Sequence, residues 1–305
     1  MKARLRFLAA RCSAICGSAA VTLAICVGSP SAAYAQKDFK SPEEAMTSFG
    51  NAVAHNDEAT LKALLGDDFR ELIPPVGAEV RSRFLTAWDT SHALQTKDSE
   101  HADIAVGNDG WTLPIPLVKS AKGWHFDTRA GAEEMRLRRI GRNELAVIQT
   151  MLAVYDAQRE YAETDHDGSG VLAYAAKLSS SPGKQDGLYW PTGPDGKPSP
   201  LGSAFMTAGA RNVGQAGYHG YHYKLLTSQG PHAPGGAYDY VAHGKLFGGF
   251  GVIAWPVHYG DSGIKSFMVS HDGQVYERDL GPEGATKAAA MTSFDPGPGW
   301  AKVSP

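Results

Sequence analysis

The segment that decides the fold covers residues 144–161 and reads ELAVIQTMLAVYDAQREY. Its apolar residues recur every three or four positions, so they form two adjacent stripes on one side of a helix. The stripes consist of Leu145, Ile148, Leu152 and Tyr155, and of Val147, Met151, Val154 and Tyr161. A helix with such a wide apolar face needs a sheet to cover it.

The helix is expected to extend well beyond this segment, because residues 132–163 contain almost no helix-breaking residue. The only interruption is Gly141-Arg142-Asn143, where Asn143 suits the N-cap of a restarted helix. We therefore expect one long or kinked helix.

The covering sheet is predicted downstream, in β-branched and aromatic runs separated by Gly, Pro and Asp. These runs are 218–226, 238–240, 250–255, 264–270 and 274–278. His271-Asp272-Gly273 is typical of a tight hairpin, because Asp-Gly supplies positive φ angles. The Gly-, Pro- and Ser-rich stretch 179–217 is predicted to be a long ordered loop. The result is a long helix packed on an antiparallel β-meander.

The chain before residue 131 predicts a smaller domain. Ser41-Pro42-Glu43-Glu44 combines an N-cap, a proline at the first helical position and first-turn acids, so a helix is expected over 41–54. A short helix is expected over 58–65, followed by β-rich stretches at 80–88, 103–106, 111–118 and 124–126. This order resembles a nuclear-transport-factor-two-like domain, a conical sheet wrapped by helices. The predicted class is α+β, with domains over 36–130 and 131–305.

Residues 1–35 are typical of a cleavable secretory signal peptide. Four basic residues precede an apolar stretch over 13–27, and Ala33-Tyr34-Ala35 supplies the small-x-small pattern that signal peptidase reads. The apolar stretch is shorter than the ~20 residues of a membrane-spanning helix, and no comparable run follows. We expect cleavage near Ala35-Gln36, a periplasmic or secreted protein, and no transmembrane segment in the mature chain.

Composition narrows the function classes. All three cysteines, Cys12, Cys16 and Cys26, lie in the predicted signal, so the mature chain is expected to lack disulfides and thiol chemistry. The whole chain has 29 basic and 32 acidic residues. Because the signal holds four of the basic residues, the mature part is clearly acidic, which argues against nucleic acids and anionic membranes as partners.

Short motifs surround the end of the long helix. They are Asn143-Glu144, Ala157-Gln158-x-x-Tyr161, Asp165-x-Asp167-Gly168-x-Gly170 and Tyr174-Ala175. They resemble the globular part of type IV pilins and type II secretion pseudopilins, in which a helix leads through a loop into a meander. The helix lacks the apolar N-terminal half that lets pilins polymerise, so the resemblance implies the globular architecture alone.

A larger set of motifs covers the C-terminal half. It includes DGLYW at 186–190, SPLG at 199–202, GYHY at 220–223, QGPxAPGGA at 229–237, AWP at 254–256, YGxSG at 259–263 and YERDLG at 276–281. Through them nearly the whole mature chain resembles an uncharacterised family of exported bacterial proteins, domain of unknown function 2950. The resemblance implies export and an envelope location, and it brings no activity, cofactor or catalytic residue.

A calcium site is one candidate. The loop Asp165-His166-Asp167-Gly168-Ser169-Gly170 places short oxygen ligands at alternate positions around a glycine turn. Ala176 stands where a full EF-hand has its bidentate acid. The loop is therefore either a partial calcium site on Asp165, Asp167 and Ser169 or a solvated turn after the helix.

Aromatic residues are dense in the C-terminal half, and rings supply much contact area at little entropic cost. An exposed subset beside Gly-rich loops would suit an envelope protein or a glycan. The candidate binding surface consists of Tyr189, Trp190, Tyr221, His222, Tyr223, Trp255 and Tyr259.

Three groups of residues point weakly to chemistry. His219, His222, His232, His243 and His258 could bind a metal, although no H-E-x-x-H pattern occurs. Gly260-Asp261-Ser262-Gly263 resembles the nucleophile loop of trypsin-like proteases, but Ile264 follows where those proteases have glycine. Asp89, His92, His125 and Asp127 could line an acid/base pocket in the N-terminal domain. No catalytic residue is assigned.

The leading hypothesis from the sequence is a non-enzymatic envelope protein whose aromatic loops bind a partner. The first alternative is a periplasmic hydrolase or isomerase that uses His or Asp residues in a loop-lined cleft. The second is a structural module stabilised by calcium, which is compatible with the leading hypothesis.

Overall fold

The computed structural model describes residues 36–192, 196, 198–202 and 217–303. The predicted signal peptide with its three cysteines, and part of the 179–217 loop, lie outside these residues. The first half contains α1 (Pro42–His55), α2 (Glu58–Leu65), α3 (Phe69–Leu72), α4 (Ala78–Thr90), β1 (His92–Thr96), β2 (His101–Val106), β3 (Leu117–Ser120), β4 (Gly123–Phe126) and α5 (Thr128–Tyr161).

The second half is rich in strands. It contains β5 (Tyr221–Leu226), β6 (Ser228–Gln229), β7 (Tyr238–Asp239), β8 (Val241–Ala242), β9 (Lys245–Leu246), β10 (Gly251–Pro256), β11 (Lys265–Ser270), β12 (Val275–Asp279), α6 (Gly284–Ala290), β13 (Ser293–Phe294) and β14 (Ala301–Lys302). The mixture of helices and antiparallel sheets confirms the predicted α+β class.

The N-terminal unit is a four-stranded antiparallel sheet in the order β1-β2-β3-β4, with α1, α2 and α4 packed around a core of its own. Its first helix begins as predicted: Ser41 accepts a hydrogen bond from the backbone N–H of Glu44, and Pro42 occupies the first turn. The second helix has the predicted bounds, and Gly66 ends it with a φ of 88°.

The β-rich interpretation of residues 80–88 is wrong, because this segment lies inside α4. Phe84 and Trp88 are four residues apart, so in a helix they point in the same direction. Both rings pack on Phe49 of α1, with centroids 6.4 and 6.1 Å from its ring. The helical spacing of these aromatics outweighs the strand preference of the individual residues.

The long helix α5 forms without interruption over 34 residues. It begins where Asp127 accepts a hydrogen bond from the N–H of Ala130 at 2.9 Å, and Gly141 lies within it. Asn143 does not start a new helix. Its side-chain amide instead donates to the carbonyl of Ser262 at 2.8 Å, so this polar group stabilises the tertiary structure.

The central sheet of the C-terminal half has the strand order β14-β12-β11-β10-β5, and all its neighbours are antiparallel. Strands form at all five predicted runs, but the run at 238–240 does not join the central sheet: β7 pairs with β6 in a separate three-stranded sheet of order β13-β6-β7. The β11–β12 hairpin contains Gly273 at a φ of 78°, which is the positive angle that the Asp-Gly pair predicted.

The two faces of this sheet have different covers. Val147, Met151 and Val154 of α5 pack on one face, which presents residues such as Val252 and Phe267. The other face presents Leu226, Ile253, Met268 and Phe294, and α6 covers part of it. No helix in the described part of the chain is both long and apolar enough to cross a membrane.

Gly263 is a stringent test of this packing. It is buried where the loop before β11 meets β5, and an added Cβ would overlap the ring and hydroxyl of Tyr221. We expect Gly263→Ala to lower the free energy of unfolding by about 1–3 kcal/mol, because Tyr221 is fully buried and has no space into which to move. Urea unfolding followed by circular dichroism measures this loss.

Gly141→Ala is the matched control. A Cβ at this exposed position of α5 meets no atom within 4 Å, and alanine forms helix better than glycine by about 0.5–1 kcal/mol. We expect this variant to gain stability. Equal effects of the two substitutions would contradict the packing described for Gly263.

Candidate functional site

A groove opens at one end of the central sheet, on the face that carries α6. Its volume is about 350 Å³, within the usual range for small-ligand sites. The lining residues come from three short segments: Pro256, Val257, His258 and Tyr259; Ile264 and Ser266; and Gly281, Pro282, Gly284 and Ala285. The groove therefore combines an exposed aromatic ring and an imidazole with the hydroxyl of Ser266, which lies at its base and is only 1% exposed.

Strand register explains why these residues meet. In β11, Phe267 and Val269 face α5, so Ser266 and Met268 face the α6 side. On the same side Trp255 of β10 is paired with His222 of β5, with ring centroids 5.6 Å apart. The end of β10 then continues directly into His258 and Tyr259.

The lining contains no Asp, Glu, Lys or Arg residue. Tyr259 is 40% exposed, and its hydroxyl donates to the carboxylate of Asp279 at 3.2 Å, which fixes the position of the ring at the mouth. The groove thus presents a held aromatic ring, an imidazole and a hydroxyl, without a carboxylate, ammonium or guanidinium group among its lining residues.

The candidate binding surface divides between core and surface. Trp190 and Tyr221 are buried, at 6% and 0% exposure, because both pack under α5 in the main core, so they cannot contact a partner in this fold. Tyr189 and Tyr223 are partly buried against the same core. Only His222, Trp255 and Tyr259 lie at or beside the groove.

The carboxylates of the candidate calcium loop already have partners. Asp165 accepts hydrogen bonds from the N–H groups of Ser169 and Gly170, at 3.3 and 2.7 Å. The ammonium of Lys245 pairs with Asp167 at 2.8 Å and also contacts Ser169. The bonds from Lys245 and Ser169 hold the pKa of Asp167 well below its usual range.

A cation in this loop would have to displace the ammonium of Lys245. No group of three or more His, Cys, Asp and Glu side chains that could hold a metal occurs among the described residues. The structure therefore offers no support for the calcium interpretation beyond the sequence pattern itself.

The five histidines do not converge. His219 and His243 lie in turns with positive φ, and His232 pairs with Asp295 at 3.1 Å. Only His222 and His258 are close enough to influence one another electrostatically.

Ser262 and Asp261 of the protease-like loop make contacts that stabilise the fold. The hydroxyl of Ser262 accepts from the backbone N–H of His258 and donates to its carbonyl, at 3.0 and 3.2 Å, and Asp261 pairs with Arg139. Within the described residues no serine hydroxyl bonds to an imidazole, so the pair that activates a serine nucleophile is absent there.

The four acid/base candidates of the N-terminal domain also have separate structural positions. His92 stacks on Trp88 and bonds to its carbonyl oxygen, Asp127 caps α5, and His125 lies 3.6 Å from Asp38. Asp89 is exposed on α4. They do not form one constellation.

Sequence reasoning missed part of the site. Ser266, Pro282, Gly284 and Ala285 lie outside the quoted motifs, and only the register of β11 and the position of α6 bring them into the groove. The sequence also contains a run of arginines at 136, 138, 139 and 142, whose spacing places several of them along one side of α5.

Burial lowers the pKa of His222, and the nearby His258 lowers it further. Since the folded pKa lies below the unfolded value of 6.5, the unfolded state binds the proton first as the pH falls. The stability linked to His222 is therefore complete above about pH 6.5 and is lost progressively below it. Between about pH 7.5 and about pH 5, we expect the melting temperature of the His222→Gln variant to fall less than that of the unsubstituted protein.

His243→Asn is the control for this pH experiment, because His243 is exposed in a turn. This variant should keep the pH dependence of the unsubstituted protein. Parallel melting curves for the His222 variant and the unsubstituted protein would show that this histidine is not responsible.

The comparisons with known proteins add a family and no activity. No curated protein and no solved structure matches the chain. These comparisons therefore do not show the likeness to pilins. The family model described as "Protein of unknown function (DUF2950)" matches residues 36–303, in agreement with the motifs quoted above. The chain therefore belongs to the DUF2950 family.

Proposed function

We propose that this protein is a non-enzymatic binding module of the bacterial envelope, and that the groove beside α6 binds a neutral saccharide. The observation that carries the proposal is the composition of the groove: a fixed tyrosine ring at the mouth, the imidazole of His258, the hydroxyl of Ser266, and no Asp, Glu, Lys or Arg among the lining residues.

The ligand class follows from this chemistry. Sugars present an apolar C–H face that packs on an aromatic ring and hydroxyl groups that bond to neutral donors and acceptors. A charged peptide would find no counter-charge on this lining. The volume of about 350 Å³ suits a site for one or two sugar rings.

Binding is favoured over catalysis because the reactive side chains have structural partners. Ser262 closes its own turn, and Asp261 is paired with Arg139. Groups that act in catalysis need a hydrogen-bonded base or a converging acid/base pair. The hydrolase or isomerase alternative gains no such pair from the described residues.

An envelope location is part of the same proposal. The pattern at residues 1–35 supports export, and the family match begins at residue 36, the expected first residue of the processed chain. The packing of α5 on an antiparallel sheet also supports the hypothesis that the C-terminal half is a pilin-like interaction module, without filament assembly.

The saccharide proposal predicts that Tyr259→Ala weakens binding by about tenfold, because it removes the only aromatic ring on the lining. Isothermal titration of the processed protein with uncharged N-acetylhexosamine oligomers and glucose oligomers measures the affinity.

The matched control is Tyr238→Ala. Tyr238 is 39% exposed, nearly the same as Tyr259, but it does not line the groove. This variant should bind as the unsubstituted protein does. Absence of binding to every neutral oligomer, or equal losses in both variants, would refute the saccharide site.

The export proposal has a separate test. We expect protein from the periplasmic fraction to begin at Gln36 when its intact mass is measured. Ala35→Phe should cause the uncleaved precursor to accumulate, because signal peptidase requires a small residue before the cut. An intact N-terminus in the cytoplasmic fraction would contradict export.

A further inference from the structure

A second and larger hollow lies between the α2–α3 segment and the start of α5. Its volume is about 560 Å³. One wall carries the acids Asp67, Asp68 and Glu71, and the other carries the arginines Arg129, Arg136 and Arg139. Leu65, Leu72 and Met135 add apolar surface. We call this hollow the charged cleft.

The two walls do not neutralise one another. Asp67 pairs with Lys62 at 2.8 Å, Arg136 pairs with Glu133 at 2.6 Å, and Arg139 pairs with Asp261. These pairs lie along or outside the walls, and no ion pair among the described residues crosses the cleft. Opposite charges therefore face one another across open space.

Three of the six charged side chains have no partner among the residues that the structure describes. Arg129, Asp68 and Glu71 make no ion pair and no side-chain hydrogen bond with the described residues. Two unpaired carboxylates thus stand opposite an unpaired guanidinium.

The arginine wall is held in position by other contacts. Arg136 donates to the carbonyl of Gly260, and Arg139 binds Asp261 in the same loop. Residues 129, 132, 136 and 139 recur at helical spacing on α5, so they form a continuous strip. Since the helix and the loop fix this strip, the separation of the two charged walls is set by the fold.

We propose that the charged cleft binds a small dipolar ligand with a free ammonium group and a free carboxylate, the chemical class of amino acids and short peptides. The ammonium pairs with Asp68 and Glu71. The carboxylate meets Arg129, whose planar guanidinium can donate two parallel hydrogen bonds. The apolar residues between the walls take the ligand's side chain.

This site does not depend on the saccharide groove. The two differ in lining charge, and they share no residue. They are neighbours, however, because residues 256–259 and 264 line the groove while Gly260 and Asp261 bind the arginine wall.

The test uses the processed protein and a panel of simple dipeptides in three forms: unmodified, N-acetylated and C-amidated. Each blocked form lacks one of the two charges. We expect the unmodified dipeptides to bind, and each blocked form to bind about tenfold more weakly or worse, since a charge-assisted pair is lost. Titration calorimetry or protein NMR measures the affinities.

Two neutralising variants locate the site. Arg129→Gln and Glu71→Gln should each lower the affinity for the unmodified dipeptide by about tenfold. Added salt should also lower this affinity in the unsubstituted protein, because it screens the charges. The controls are Arg142→Gln and Glu160→Gln, which change exposed residues of α5 outside the cleft. These controls should retain the original affinity.

The proposal is overturned if no unmodified dipeptide binds at millimolar concentration, if the blocked forms bind equally well, or if the control variants lose as much affinity as the cleft variants. Titration of neutral oligosaccharides against the cleft variants separates the two sites. Unchanged saccharide affinity together with lost dipeptide affinity is the expected pattern.

Discussion

The attachment of α5 to the loop before β11 is the interaction on which both candidate sites depend. One carboxylate oxygen of Glu144 accepts hydrogen bonds from the backbone N–H groups of Ile264 and Lys265, at 2.8 and 2.9 Å. The neighbouring Asn143 donates to the carbonyl of Ser262 at 2.8 Å. Hydrogen bonds to a carboxylate contribute about 1.5–3 kcal/mol each and neutral ones about 0.5–1.5 kcal/mol, so together they hold the loop against the helix.

The loop before β11 supports both candidate sites, which differ in the charge of their lining residues. The residues at its ends, His258, Tyr259 and Ile264, line an uncharged groove, while its middle anchors the arginine wall of the charged cleft. Because the same backbone segment supports both, a ligand that displaced the loop at one site would alter the other. The arrangement explains why Gly263 is required: the loop must pass close to the buried ring of Tyr221.

Many of the candidate site residues suggested by the sequence make structural hydrogen bonds or ion pairs within the fold. Asp127 caps α5, Asp165 closes its own loop through backbone N–H groups, and Asp167 pairs with Lys245. Short polar side chains near glycine satisfy backbone donors as readily as they bind metals, and the sequence pattern is the same in both cases. Sequence motifs alone therefore overestimate the number of sites.

The sequence by itself determined the elements whose signal is local. Helical spacing over 144–161, the cap at Ser41 and the Asp-Gly turn at 272–273 all predicted what forms, because each depends on neighbours a few residues apart. The strand-favouring residues of 80–88 misled because their aromatics pack on α1, which is distant in sequence. Only the tertiary structure decided that Tyr221 is buried while Tyr259 is exposed. Strand register and the placement of α6 determine which side chains are covered and which remain in contact with solvent. The same holds for the facing walls of the charged cleft, whose members lie some 60 residues apart.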